Sequence, residues 1–282
     1  MSGRGHGAGA LAFYGSAALL AVVFMFPFFW TLASSLKAPS ELFNFPPTFL
    51  PEEPQWSNYA TVLRRVPFVT WFGNSLFVVV VGTIGTLVSC TLVAYSFSRF
   101  RYHGRDLMFV MTLGTVMLPA EVTLVPRYLI FRDLGWLDTL RPLWVPEWLG
   151  ASAFSIFLIR QFIMSIPRDL DEAAIVDGAG YLRILASILV PALKPVLATV
   201  AVIQAVANWN DFLGPLIYLN SPENFTLAVG LRYFNQSPGE TGRPQQHLLM
   251  AAAVMSITPC IVLFFAAQRY FVRGIVTSGI KG

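Results

Sequence analysis

Few residues in this chain sit at spacings that support covalent or metal chemistry. The three histidines, His6, His103 and His247, belong to no HExxH or paired His/Cys pattern. Cys90 and Cys260 each lie inside an apolar run with no ligand spacing around them, and read as small buried hydrophobes. The segment Gly274 to Gly279 approaches a phosphate loop, but Ile280 stands where the lysine is required. Gly178-Ala179-Gly180 lacks the third glycine of a dinucleotide fingerprint, since Arg183 occupies it. The chain is therefore not expected to be an enzyme, to bind a cofactor or metal, or to hydrolyse a nucleotide. What it does carry is a polar island, residues 168–195, holding Arg168, Asp169, Asp171, Glu172, Asp177, Arg183 and Lys194 in a sequence only 12% charged. Such an island is suited to meeting a soluble partner.

The elements around the island must sit in a bilayer. A chain of 282 residues with 55% apolar residues and mean hydropathy +0.62 lies far outside the soluble range. The net charge of +4 forms no basic stripe interleaved with exposed aromatics, which excludes nucleic acid as a partner. Residues 1–10 are glycine-rich and read as a disordered arm. The charge-free run Leu11 to Leu36 exceeds a secretory signal core and reads as an uncleaved spanning helix, kinked at Pro27. Lys37 to Arg65 is a proline-rich solvated loop, closing a first segment at about residue 69. Five further spans are expected within residues 70–268: from Asn74 to Ser98, Leu107 to Phe131, Leu143 to Ile163, Pro195 to Leu219 and Leu248 to Ala267. Between the last two lies a second polar loop, Asn220 to His247, and residues 269–282 form a tail.

The third run is imperfect, since Pro119, Glu121 and Pro126 interrupt it. On a continuous helix Glu121 would lie ~21 Å above Leu107, and Asp211 ~24 Å above Pro195. Glu121, Asn208, Asn210 and Asp211 are the candidates for a polar translocation path, with interfacial placement as the plainer role. Six spans put both termini on one side. Eleven of nineteen Lys and Arg fall on that side, including Arg99, Arg101 and Arg105 in one short loop, so it is expected to be cytoplasmic.

Within the island, Pro167 suits a helix start and Asp169, Asp171 and Glu172 complement its positive end. Gly178 stands where a left-handed cap is needed, predicting a helix of about ten residues, a glycine turn and a second helix from Tyr181. Three acids and central alanines make this a poor binder of anionic lipid and a better fit to a protein groove with a basic rim.

The spacing Glu172-Ala173-Ala174, three residues, Gly178, nine residues, then Ile188 and Pro191 resembles the EAA motif of bacterial ABC importer permeases, with Val190 replacing the usual leucine. Ser35-Leu36-Lys37, Trp56 to Tyr59, Asn74-Ser75, Pro119 to Asp138, Trp209 to Phe212, Thr226 to Leu231 and the ending GIVTSGIKG resemble the carbohydrate, maltose-type branch, in order along the chain. That resemblance implies an all-α membrane protein with six transmembrane helices and the type I ABC importer fold. It implies a heterodimer with a second permease, two ATPase subunits that bind ATP and Mg, an extracytoplasmic solute-binding protein, and location in a bacterial cytoplasmic membrane. Residues 168–195 would hold the coupling helix, with Glu172 as charged contact to the ATPase and Ala173, Ala174, Asp177 and Gly178 shaping the approach. The implied activity is import of a sugar or sugar-like solute. The competing classes are a stand-alone secondary transporter, which needs ionisable or broken elements near the midplane, and a non-transporting scaffold.

Overall fold

The computed structural model describes residues 5–119, 121–236 and 245–278, and among these all regular elements are helical. Thirteen α-helices follow in chain order: α1 Gly5–Ser35, α2 Ser57–Arg65, α3 Phe68–Arg99, α4 Arg105–Gly114, α5 Leu124–Asp133, α6 Arg141–Trp144, α7 Ala153–Ser165, α8 Asp169–Val176, α9 Tyr181–Ile184, α10 Val190–Asn210, α11 Leu213–Tyr218, α12 Leu227–Gln236 and α13 Gln246–Ser278. Two compact units result, residues 1–68 with 231–258, and residues 69–230 with 259–282.

Five stretches among the described residues are long and apolar enough to cross a membrane: Phe13–Ser35, Phe68–Arg99, Arg141–Ser165, Tyr181–Asn210 and Gln246–Ala266. The run Leu107 to Phe131, expected as a further span, forms no single helix. It breaks into α4 and α5 because Pro119 lacks an N–H to donate and pushes Leu118 into extended backbone, φ −82°, ψ 118°. Ten residues of α4 reach only ~15 Å, half a hydrocarbon core. Glu121 consequently sits exposed in the turn between two helices, and its expected height on a continuous helix does not apply.

Three other expectations change. Helix α1 starts at Gly5, so residues 5–10 are helical; a helix nucleated in the apolar run extends backward at little cost, even through glycine. The loop Asn220 to His247 contains α12, and its residues 237–244 lie outside those described. Helix α10 stops at Asn210, with Asp211 in extended backbone at ψ 120°, so the fifth span ends before Leu219. It begins earlier than expected, at Tyr181, passing through a single π turn, Leu185–Leu189. Pro191 follows that turn, where the wider coil relieves the missing donor and the ring clash.

In the first unit, Ser35 Oγ and Tyr59 Oη lie 2.8 Å apart, and Asn58 Nδ2 donates to the carbonyls of Ser35 (2.9 Å) and Lys37 (3.1 Å). Lys37 is only 1% exposed; its ammonium donates to the Thr48 carbonyl and lies 4.6 Å from the centre of the Trp30 ring. The second unit has its core where α3, α7, α8 and the α9–α10 stretch meet, around Cys90, Ala94, Ile156, Ile159, Ile163, Ala174, Ile184, Leu189 and Leu193.

Candidate functional site

Helix α8 and its turn form with the local chemistry that their residues specify. The acids Asp169, Asp171 and Glu172 occupy the first turn. At the other end Ala179 N–H donates to Ala174 O (2.9 Å) and Gly178 N–H to Ile175 O (3.0 Å), with Gly178 at φ +79°. This Schellman closure needs a residue without a Cβ penalty at Gly178. The chain then re-enters helix at Tyr181.

The helix is fastened to the second unit by two arginines. Arg99 at the end of α3 pairs with Asp171 at 2.6 Å, both side chains largely buried, and also donates to Ile166 O (3.0 Å). Arg168 donates to Ser98 O (3.2 Å). Glu172, Ala173, Asp177 and Gly178 face outward, whereas Ala174 is buried in the core. Only one of the two alanines is therefore available to a partner. Leu170, Ile175 and Val176 are exposed beside them, Val176 at 87%. A projecting helix with a free carboxylate, small residues and bare aliphatics can seat in a groove of another protein.

A second set of polar groups meets inside the spans of the same unit. Gly82 and Gly85 on α3 let the turn at residues 146–149 approach closely; a Cβ at Gly85 would stand 2.5 Å from Trp148. Glu147 is thereby brought to Thr86, whose Oγ1 donates to its carboxylate at 2.7 Å, while Ser89 donates to its carbonyl at 2.8 Å. Asn208 lies against Gly82, accepting from Gln204 at 3.1 Å. Its Nδ2 is buried without a protein partner among the described residues. Backbone regularity is also lost here, since Gly150 is left-handed at φ +74° and α7 restarts under Ser152, whose hydroxyl caps Ser155 N–H at 3.3 Å. Of the four path candidates Asn208 joins this cluster directly, and Asp211 lies near enough for its charge to act on Glu147. Asn210 returns its amide to Val206 O (2.8 Å), Asp211 accepts from Gly214 N–H (3.2 Å), and Glu121 is exposed elsewhere.

The contacts made by Glu147, Arg99 and Asp138 are not among the expectations from sequence, which assign these residues no site role. Asp138, a non-glycine residue at φ +56°, ties two loops together. Its carboxylate accepts from the N–H groups of Asn220 and Ser221, both at 2.9 Å, and from the Ser221 hydroxyl, while its own N–H donates to Tyr218 O (2.8 Å). These donors hold the carboxyl well below the usual carboxylate range, the Ser221 hydroxyl and N–H contributing most. A usable signal existed in part: aspartate is among the few residues that tolerate left-handed backbone.

Comparison with known proteins places the chain among transport components. A family model described as "binding-protein-dependent transport system inner membrane component" matches residues 16–277. The arabinooligosaccharides transport system permease protein AraQ of Bacillus subtilis is 31% identical over 94% of this chain and 93% of its own. The sn-glycerol-3-phosphate transport system permease protein UgpE of Yersinia enterocolitica is 32% identical over 91% and 92%. Among solved structures, the crystal structure of a bacterial ABC transporter involved in the import of the acidic polysaccharide alginate contains a chain that superposes with TM-score 0.86 at 26% identity, covering 96% of this chain and 99% of that one.

Proposed function

The chain belongs to the binding-protein-dependent transport system inner membrane component family, and from that membership we propose that it is the membrane-spanning permease subunit of an ATP-driven importer for a sugar or sugar-like solute. The single observation that carries the coupling role is α8, an exposed helix joined to the spanning bundle through Arg99–Asp171. A push on α8 is transmitted to α3 through a short ion pair rather than through a flexible loop. ATPase subunits that bind ATP and Mg would move α8 as they close, and rocking of the spans would shift access from one face to the other. This reading rests on two ATPase subunits, a second permease and an extracytoplasmic binding protein as partners. It sets both termini in the cytoplasm of a bacterial cell, with Leu107 to Phe131 completing six crossings as a broken element. A discontinuous segment of this kind is tolerated in a bilayer where protein buries its free backbone groups.

Glu147, Thr86, Gln204 and Asn208 are the groups best suited to meet solute hydroxyls on the way through, because a carboxylate and amides within a span are costly unless used. The test of coupling is Glu172→Lys in the complex reconstituted with its ATPase subunits and binding protein. The variant is expected to insert and assemble, and to lose roughly tenfold or more of binding-protein-stimulated ATP hydrolysis, equivalent to about 1.4 kcal/mol of lost coupling. Wild-type stimulation and transport in that variant would remove Glu172 from the contact.

A further inference from the structure

Four arginines converge at the end of the second unit where α3 and α7 finish and α4 begins. Arg99, Arg105, Arg160 and Arg168 line a polar cavity of about 340 Å³ together with Ser98 and residues 164–167. Each guanidinium is steadied by a main-chain carbonyl: Arg99 by Ile166 (3.0 Å), Arg105 by Phe100 (3.2 Å), Arg160 by Phe97 (3.3 Å) and Arg168 by Ser98 (3.2 Å). The Arg160 guanidinium carbon also stands over the Phe109 ring, 4.1 Å from its centre. Asp171 neutralises Arg99 and Asp106 neutralises Arg105, but among the described residues no carboxylate pairs with Arg160 or Arg168. Capping the last carbonyls of α3 and α7 accounts for one or two arginines and favours positive charge there. It does not account for four around one cavity, two of them without a close ion pair among the described residues and Arg160 facing only the more distant Asp106, each guanidinium having five N–H donors of which the carbonyls use one.

We propose that this cavity holds the phosphate of an anionic phospholipid. A phosphodiester supplies negative charge and pairs of oxygen acceptors that the guanidinium groups without an ion pair can engage in bidentate fashion. The cavity lies at the ends of spanning helices, the depth at which headgroups reside. From it α4 leads away with Leu107, Met108, Val110 and Met111 exposed, an apolar surface along which acyl chains can lie. Arg168 immediately precedes α8, so the bound lipid anchors the root of that helix to the membrane surface.

The experiment is lipid retention by the full chain, extracted with its partner subunits, delipidated and examined by native mass spectrometry after exchange into nanodiscs of phosphatidylcholine with or without phosphatidylglycerol. One phosphatidylglycerol per chain is expected to remain, and Arg160→Gln/Arg168→Gln is expected to reduce its retention roughly tenfold or more, about 1.4 kcal/mol for the pair. Arg160→Lys/Arg168→Lys keeps the charge and is expected to recover much of the retention, separating charge from folding. Equal retention of phosphatidylcholine would overturn the proposal. So would saturation of the cavity by inorganic phosphate alone in detergent, or cross-linking of the cavity to an acidic segment of a partner subunit in the assembled complex, which would assign the arginines to that segment.

Discussion

Asp138 shows how much a single side chain can organise. A carboxylate in left-handed backbone receives three donors from residues 220 and 221, and its carbonyl accepts from Asn224 Nδ2 at 2.7 Å. Asp138→Ala should cost about 3 kcal/mol, since hydrogen bonds to a charged group contribute more than neutral ones and the donors are left unmet. The pH dependence follows from the depressed ionisation. Stability from Asp138 is fully present above the unfolded carboxylate value of about 3.9, and is lost as pH falls below it toward the lower folded value. The difference in thermal unfolding between the wild type and Asp138→Asn should therefore hold constant from pH 6 to about 4 and narrow progressively as the pH is taken further down; a constant difference below about pH 4 would contradict the assignment. The partners of Asp138 were not legible in sequence, because they are more than 80 positions away. The helix that carries Glu172 was legible, because its start and its glycine turn lie within about ten residues of one another.

At the scale of elements, local punctuation was read well where it was strong and misread where apolar letters outweighed it. Gly178 predicted the end of α8, and the backbone there is left-handed. Pro119 interrupts the third run, whose apolar composition alone suggests one span; the proline prevails, because it supplies no N–H donor and forces Leu118 into extended backbone. The attachment of α8 to α3 was beyond sequence reasoning, since Arg99 and Asp171 lie on different elements and nothing in either segment marks the other. A double-mutant cycle measures it. Arg99→Ala and Asp171→Ala are each expected to weaken stimulation of ATP hydrolysis and lower stability by about 3 kcal/mol, each stranding a largely buried charge. The double variant should recover part of that loss, with a coupling energy of about 1–3 kcal/mol. Strict additivity would mean that the pair transmits nothing.

For the whole molecule, the likeness of motifs in chain order proved informative because those motifs meet in space. Asn74 Nδ2 donates to the carbonyls of Glu223 (2.9 Å) and Phe225 (3.0 Å), and Leu227 N–H to Ser75 Oγ (2.8 Å), joining two segments about 150 positions apart. Ser35 to Lys37 and Trp56 to Tyr59 meet in the same way in the first unit. These short polar motifs are thus the joints of the molecule, and the apolar runs between them carry little positional information of their own. Lys37, sealed under Trp30 and the Thr48 carbonyl, gives one such joint a chemical reporter. An amine buried to 1% exposure is shielded from acylating reagents while its surroundings hold, and becomes reactive when they open. The rate at which Lys37 is acylated in membranes, followed by peptide mass mapping, should be low in the intact chain and rise in Asn58→Ala, which removes the donors pinning the Ser35 and Lys37 carbonyls. The lysine is thereby a built-in clock for local opening of this unit, read without any added label.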